Sequence, residues 1–167
     1  MARAVTMSPC PIARAVELVG DRWTLLILRN ATYGVTRFDE FRAGLGIADN
    51  VLSNRLSRLV EAGLLTRVPY RTSGRAREEY RLTPAGADLT PVLGALAEWG
   101  SRHTSPDEPA EPMRFLHREC GRDLPSPGAS CPHCDRPVGR ADLLWLTPWR
   151  GSEPYPLAEP VVVDPSD

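Results

Sequence analysis

Apolar residues recur with a helical period through the first 62 residues of the chain and alternate along two segments after that. The first stripe lies at positions i, i+3, i+4 and i+7: Ile12, Ala15, Val16 and Val19. It predicts a short helix that Ser8 caps and that Gly20 ends. The segment from Arg22 to about Tyr33, behind Asp21 as N-cap, is apolar on nearly every side. We therefore expect this second helix at the centre of a core.

The next two stripes are short and separated by glycines, a pattern typical of a helix-turn-helix. Thr36 is expected to cap the first of these helices, with Asp39 completing a capping box. The second helix is predicted from Asp49, as its N-cap, to about Ala62. Opposite its leucines it carries side chains suited to base edges and phosphates: Asn50, Ser53, Asn54, Arg55, Ser57 and Arg58.

Two alternating segments, Leu65 to Tyr70 and Arg77 to Leu82, flank the turn-forming sequence Thr72-Ser73-Gly74-Arg75. They predict a β-hairpin that is rich in arginine. A hairpin that follows two such helices is the wing of a winged helix-turn-helix. The predicted fold is therefore mainly α, of α+β type, with a two-stranded wing.

A further helix is predicted to begin at Thr83-Pro84 and to continue to about residue 100, with a kink at Pro91. Its apolar stripe consists of Leu89, Val92, Leu93, Leu96 and Trp99. This stripe and that of the first helix lie outside the minimal helix-turn-helix. Their apolar side chains would be exposed to solvent unless another protein surface packs on them. One explanation is a homodimer through the first helix and helix 84–100, which would set two recognition helices about one helical turn apart on a palindromic site. The other is packing within one subunit.

Charge and proline divide the chain into two halves. The net charge is −1, yet residues 1–104 hold 14 Arg against 10 acidic residues, and residues 105–167 hold 6 against 11. The positive surplus thus lies with the helix-turn-helix, as a phosphate-binding surface requires. Twelve of the 17 prolines follow residue 105. We predict a DNA-binding and dimerisation domain at 8–104, a linker at 105–112, a small module at 113–147 and an extended or disordered tail at 148–167.

Three of the four cysteines follow a metal-ligand pattern. His117-x-x-Cys120 and Cys131-x-x-Cys134 stand at zinc-ribbon spacing and predict a structural Zn²⁺ with three thiolates, one imidazole and no open position. His133 is the poorer ligand because its side chain should point away. An ion would let this proline-rich module fold with little apolar surface to bury. The alternative is three unrelated thiols, and a disulfide fits poorly in a reducing cytoplasm.

Cys10 stands alone, just inside the predicted start of the first helix. There the helix dipole would stabilise its thiolate and make it reactive. Alternatively, Cys10 is a small buried apolar residue. The sequence leaves both explanations open.

Seven segments in this order match a known pattern: Cys10–Ala15, Val19–Arg29, Arg37–Glu40, Val51–Leu56, Glu61–Leu64, Tyr80–Gly86 and Leu96–Gly100. Together they resemble the HxlR family of bacterial winged-helix transcriptional regulators, over residues 8 to about 100. The resemblance implies a cytoplasmic homodimer that binds operator DNA as repressor or activator. It also implies that Cys10 occupies an N-terminal cysteine position that senses electrophiles or oxidants in several members. The C-terminal part lies beyond the resemblance.

The predicted DNA contacts follow from how a recognition helix enters the major groove, with its N-terminal half nearest the bases. Ser53, Asn54 and Arg55 are the predicted base-edge contacts, and Arg58 is a phosphate contact. Three further arginines are candidates for phosphates or the minor groove: Arg37, Arg75 and Arg77. The alternative is a solvated face on which the arginines pair with Glu78 or Glu79.

The leading hypothesis is a cytoplasmic transcriptional regulator, expected to act as a repressor, that binds palindromic double-stranded operator DNA as a homodimer. Its signal would be an oxidant or electrophile at Cys10, or a small-molecule effector. The alternative is a protein-interaction adaptor that uses the winged helix and zinc ribbon without sequence-specific DNA binding. The sequence shows no nucleophile–base pair, phosphate loop or open metal site, so we do not expect an enzyme. No apolar run approaches the ~18 residues of a membrane span.

Overall fold

The first two-thirds of the chain form a winged helix-turn-helix, and the rest forms a small antiparallel sheet that packs against it. A computed structural model describes residues 9–72, 75–104, 112–124 and 130–162. The helices are α1 (Pro11–Val19), α2 (Arg22–Thr32), α3 (Phe38–Leu45), α4 (Asp49–Glu61), α5 (Pro84–Ala87) and α6 (Thr90–His103). The strands are β1 (Leu65–Thr72), β2 (Arg75–Leu82), β3 (Arg114–His117), β4 (Asp123–Leu124), β5 (Leu143–Leu146) and β6 (Tyr155–Pro156). The predicted fold class is confirmed.

Helix α2 lies at the centre of the core, as its all-round apolar sequence predicts. Asp21 caps it, and its carboxylate accepts hydrogen bonds from the backbone N–H groups of Trp23 and Thr24 at 3.0 and 3.1 Å. The fully buried side chains around α2 come from four elements: Ile27, Leu28, Phe41, Leu52, Leu56 and Leu65. Helix α1, in contrast, has no buried residue.

The predicted capping box of Thr36 and Asp39 is wrong by one residue. The N-cap of α3 is Arg37, whose backbone N–H donates to the carboxylate of Glu40 at 3.1 Å. Thr36 is unavailable as a cap because its hydroxyl bonds the carboxylate of Glu79 in the wing, at 3.0 Å. A contact distant in sequence therefore decides where α3 begins.

Asp49 is likewise not the N-cap of α4. Ala48 precedes the helix, and Asp49 is its first residue. Its carboxylate lies 3.4 Å from the guanidinium of Arg42 on α3. An acidic residue in the first turn still interacts favourably with the helix dipole.

The wing is longer than predicted, and its two strands pair antiparallel from Leu65↔Leu82 to Thr72↔Arg75. Residues 73–74, at the centre of the predicted hairpin turn, lie outside the described residues. The same is true of Ser8, the predicted cap of α1, and of residues 105–111 of the predicted linker.

The predicted single helix 84–100 with a kink at Pro91 is wrong. Thr83 caps the short helix α5, and its hydroxyl oxygen accepts from the N–H of Gly86 at 3.1 Å. Pro91 then lies in the first turn of a separate helix, α6. Proline has no N–H to continue a helix but is well tolerated in a first turn, so it begins a new one.

The C-terminal strands form one sheet in the order β4-β3-β5-β6 and pack on α2 and α6 through aromatic rings. Phe115 on β3 stacks on Trp145 on β5 with 5.0 Å between ring centroids. Trp145 in turn meets the ring of Tyr33, just after α2, edge-on at 5.1 Å. A Cβ at Gly94 of α6 would lie 2.4 Å from Cε2 of Phe115, so only glycine permits this approach.

In the tail, predicted as extended or disordered over 148–167, residues 148–162 contain little regular structure but dock on the winged helix. Pro148–Arg150 forms a 3-10 turn, and β6 pairs with β5. The N–H of Ala158 donates to Thr32 O at 3.0 Å, and that of Val161 to Leu82 O at 2.8 Å. Leu157, between β6 and the first of these anchors, is buried. Docking on the winged helix, which local periodicity does not reveal, orders this segment. Residues 163–167 lie outside the described part.

None of the helices in the described ranges has the length and apolar character that crossing a lipid bilayer requires.

Candidate nucleic-acid interface and metal centre

Helix α4 presents a polar face to solvent because its leucines anchor the opposite face. Leu52, Leu56 and Leu59 are buried in the core. Of the predicted contact residues on this helix, Ser53, Asn54 and Arg58 are exposed. Asn50, at the start of the helix, bonds its own helix instead, accepting from the N–H of Val51 at 2.9 Å.

Arg55 is placed differently from its neighbours on α4. Its side chain is 25% exposed, and its Nε lies 3.4 Å from Oδ1 of Asp21, the cap of α2. The geometry is that of an ion pair, and Nε has no hydrogen-bond acceptor within the described residues. The pair ties the recognition helix to the start of α2.

The pKa of Asp21 is lowered overall. Partial burial acts to raise it, but the hydroxyl and N–H of Thr24 and the charge of Arg55 outweigh that effect. The carboxylate is therefore held in its charged form, in which it caps α2 and pairs with α4.

The wing and the start of α3 carry the remaining predicted contacts. Arg37 is exposed, with its guanidinium 5.1 Å from the ring centroid of Tyr70. Arg77 is exposed and faces Tyr70 in the β1–β2 register. These residues border an open groove of about 610 Å³ between α3 and the wing. The strand position of Arg75 is described, and its side chain is not.

The wing carboxylates Glu78 and Glu79 pair with two arginines that are not among the predicted contacts. Arg67 lies 3.8 Å from Glu78, and Arg81 lies 3.2 Å from Glu79. Within the described ranges, no carboxylate lies within ion-pair distance of Arg37, Arg58 or Arg77. These three predicted contacts are therefore available to an external anion.

Arg71 was not among the predicted contacts, although it is exposed on the outer face of β1. The signal that could have found it is alternation, since it follows Arg67 and Pro69 at every second position, and those residues are exposed too. It adds one more cation to the wing.

The predicted metal ligands stand in two turns of the same design. Gly121 N donates to His117 O and Asp135 N donates to Cys131 O, both at 2.8 Å. Gly121 and Asp135 each take a left-handed backbone, with φ of 67° and 57°. Each turn therefore closes directly after its second ligand and directs both ligand side chains to one side.

The four ligand atoms converge, all lying within 4.8 Å of one another. Nδ1 of His117 lies 3.3 Å from the sulfurs of both Cys120 and Cys134, and Cys120 Sγ lies 3.7 Å from Cys131 Sγ. With Zn–S near 2.3 Å, a tetrahedral site has S···S edges of about 3.8 Å. His117, Cys120, Cys131 and Cys134 can therefore hold a metal ion.

The surroundings of the cluster favour a closed site. His117 and Cys131 are buried, and Cys120 and Cys134 are half-buried. His133 lies outside the cluster, with Nε2 3.1 Å from the backbone oxygen of Asp123, as predicted from its position in the turn. Burial acts to raise the pKa of the Cys131 thiol, but the N–H groups of His133 and Cys134 lower it overall. Such N–H donors stabilise a thiolate, the form that binds metal.

Cys10 is the N-cap residue of α1, one position before the helix, and is exposed. Within a single chain, Cys10 is therefore not a buried apolar residue. Helix α1 also exposes large apolar side chains, with Ile12 73% and Val16 58% accessible. On α6, Val92, Leu96 and Trp99 are about half exposed.

Comparison with other sequences identifies the family of the helix-turn-helix region and several relatives of the chain. The profile of the HxlR-like helix-turn-helix family matches residues 18–108. Rv3095 of Mycobacterium tuberculosis, an uncharacterized HTH-type transcriptional regulator, is 46% identical over 127 residues, which are 76% of this chain and 78% of that protein. YvaP of Bacillus subtilis, also an uncharacterized HTH-type regulator, is 35% identical over 58% of this chain and 91% of its own.

Two solved structures are similar as well. PA1607, assigned to the transcription factors, has a TM-score of 0.63 and 37% identity, over 81% of this chain and 93% of that one. The redox regulator HypR in its reduced form has a TM-score of 0.53 and 27% identity, over 57% of this chain and 95% of that one. The alignment with Rv3095 covers 127 residues of this chain, so it must extend at least to residue 127. The similarity therefore continues past residue 108, where the family match ends, into the C-terminal sheet.

Proposed function

This chain belongs to the HxlR-like helix-turn-helix family of DNA-binding transcriptional regulators, and we propose that it acts as a homodimer on palindromic operator DNA. Its relatives are regulators rather than enzymes. We expect repression, because a dimer seated on a promoter excludes the polymerase. DNA is the partner, which places the protein in the cytoplasm.

The observation that carries the DNA-binding proposal is the arrangement of exposed polar groups beside unpaired cations. Ser53 and Asn54 lie on the exposed first half of α4, the part of a recognition helix that meets base edges. Asn pairs bidentately with adenine. Arg58, one turn later, is placed for a phosphate. Because Nε of Arg55 pairs with Asp21, only the two terminal nitrogens of its guanidinium remain for contact with bases.

The wing and the start of α3 supply the flanking contacts. Arg37 and Arg77 border one groove and are candidates for phosphates or the minor groove, and we include Arg75 from its place on β2. Electrostatic attraction of this kind depends on salt, so operator affinity should fall steeply as ionic strength rises.

The proposed dimer covers the apolar faces of α1 and α6. A helix with no buried residue and several exposed large apolar side chains gains little from packing in its own subunit. Pairing these helices across a two-fold axis would bury both faces at once.

We propose that the cluster of His117, Cys120, Cys131 and Cys134 binds a structural Zn²⁺. Three thiolates and an imidazole suit zinc and leave no position open for chemistry. The ion would supply folding free energy to the C-terminal sheet. Metal analysis of protein purified without chelator should find about one zinc per chain, and a clearly lower content would remove the site.

Cys10 is proposed as the sensor of oxidants or electrophiles. It is exposed at the start of α1, the helix that the dimer would share, so modification there would act on the interface. The similarity to HypR, a redox regulator, supports this reading. If peroxide or an aldehyde released Cys10→Ala from DNA as readily as it releases the wild type, the proposal would be contradicted.

The experiment that tests the proposed function is a mobility shift and footprint on the DNA upstream of the protein's own gene. The expected footprint covers two half-sites one helical turn apart. Asn54→Ala should abolish or weaken it, while Ala43→Ser, at an exposed position on the neighbouring helix α3, serves as a control. No sequence preference in the wild type would favour the adaptor hypothesis.

A further inference from the structure

Two apolar cavities lie between α6 and the C-terminal sheet. One has a volume of about 310 Å³ and the other of about 260 Å³. Ala97, Met113 and Trp145 line both, so the two cavities share a wall. The first extends towards Phe115 and the second towards α2. Apolar hollows of this size with aromatic walls are typical of small-molecule sites.

Trp145, which lines both cavities, carries a polar group with no partner among the described residues. Trp145 is fully buried, and its indole Nε1 has no hydrogen-bond acceptor among the residues that the structure describes. Buried N–H groups without an acceptor are rare in native folds, and each one needs an explanation.

The aromatic neighbours of Trp145 do not supply the acceptor. Phe115 offers only its ring. The hydroxyl of Tyr33 is directed to Sδ of Met113 at 4.0 Å, and that of Tyr155 bonds the hydroxyl of Thr147 at 2.9 Å. An acceptor for the indole must therefore come from outside this group.

We propose that this cleft binds a small planar aromatic molecule that carries a carbonyl acceptor, such as a lactone or an aryl ketone. Its ring packs against the apolar walls, and its carbonyl accepts from Nε1 of Trp145. The indole nitrogen is closed to water in the free chain, so the ligand must displace a side chain to reach it. Met113, which borders both cavities, is unbranched and adapts readily. The site does not depend on operator binding.

Coumarin and naphthalene form a matched pair of probes, because both are flat bicyclic rings and only coumarin carries a carbonyl. The readout is the set of four indole N–H signals in a ¹⁵N–¹H spectrum of the full chain, one for each tryptophan. Coumarin should shift the signal that Trp145→Phe removes. Naphthalene should bind about three- to tenfold more weakly, since it leaves the indole unpaired.

Filling the cleft provides the second arm. Ala97→Leu adds bulk to the wall shared by both cavities and should weaken coumarin binding by about tenfold or more. Ala13→Leu on α1, away from the cleft, is the control and should not change it. The other indole signals report whether each variant stays folded.

Three results would overturn the proposal. Coumarin that shifts no indole signal at its solubility limit would remove the site. Naphthalene that binds as tightly as coumarin would remove the hydrogen bond to Trp145. An unchanged coumarin affinity with weakened self-association in Ala97→Leu would assign the cleft to a second copy of this chain.

Discussion

The winged helix and the C-terminal sheet are held together by different means. In the winged helix, α2 and α4 each bury an apolar stripe, and α3 adds the fully buried ring of Phe41. In the C-terminal sheet, two of the most deeply buried side chains belong to the cluster that can hold a metal ion, His117 and Cys131. Much of the other burial there is against the winged helix. We therefore expect the first region to depend on apolar burial, and the second to depend on the proposed ion and on a surface to dock on.

The largest expected effect comes from removing the metal ion that we propose for the C-terminal sheet. A chelator, or Cys131→Ser, should unfold the C-terminal sheet, because structural zinc contributes about 10–16 kcal/mol of apparent binding free energy. Hydrogen exchange should show lost protection in β3 and β5 and retained protection in α2 and α4. Cys10→Ser is the matched control and should leave the sheet intact. Equal loss in both regions would mean that the two regions fold as a single unit.

The difference between the regions also explains what the sequence could predict. Helices α1 to α4 follow from the spacing of their apolar residues, which is a local property of the sequence. The convergence of the four candidate metal ligands follows from their spacing, because a two-residue turn that brings a pair together is a local property. The start of α3 and the tail could not be predicted in this way. Thr36 is held by Glu79 in the wing, and Ala158 is held by Thr32 on α2, across long stretches of chain.

The residues of the candidate DNA site also fall into those whose placement the sequence could predict and those whose placement it could not. Exposure of Ser53, Asn54 and Arg58 follows from the helical period of α4 once its leucines are buried. The burial of Arg55 against Asp21 does not, because the approach of α4 to the start of α2 is a tertiary contact. Spacing alone shows which face a residue lies on and does not show which neighbour meets that face.

Asn54→Ala sharpens the comparison by acting on function without touching either core. The side chain is exposed on α4, so the free energy of unfolding should change by less than about 0.5 kcal/mol. Operator binding should lose about 1–3 kcal/mol, with relaxed preference at one base pair. Quantitative mobility shifts on operator variants measure both effects. Unchanged affinity and preference would exclude Asn54 from base readout.

Gly94→Ala tests the joint between the two regions. The new Cβ would meet the ring of Phe115 at 2.4 Å, so the sheet must shift, at a cost of about 1–3 kcal/mol. Gly100→Ala on the same helix is the matched control, because its Cβ would lie 3.7 Å from Thr104 in ordinary contact. The control should be neutral or stabilising by up to about 1 kcal/mol. Equal melting temperatures for the two variants would contradict close packing between Gly94 and Phe115.

The smallest expected effect concerns the ion pair of Asp21 and Arg55, which joins the recognition helix to α2. Asp21→Asn keeps a good N-cap and removes the charge, and it also replaces one of the two oxygens that accept from Thr24 with an NH₂ group. Because both side chains are partly exposed, a double-mutant cycle with Arg55→Gln should give a coupling of about 0.2–1 kcal/mol. The folded pKa of Asp21 is lowered, so this stabilisation is fully present above the unfolded pKa of about 3.9 and is lost as pH falls through the folded value. The stability difference between wild type and Asp21→Asn should therefore stay constant from pH 7 to pH 5 and shrink below pH 4. Because any acid effect on the metal cluster is common to both proteins, a difference that is independent of pH down to pH 3 would show that the charge of Asp21 does not stabilise the contact.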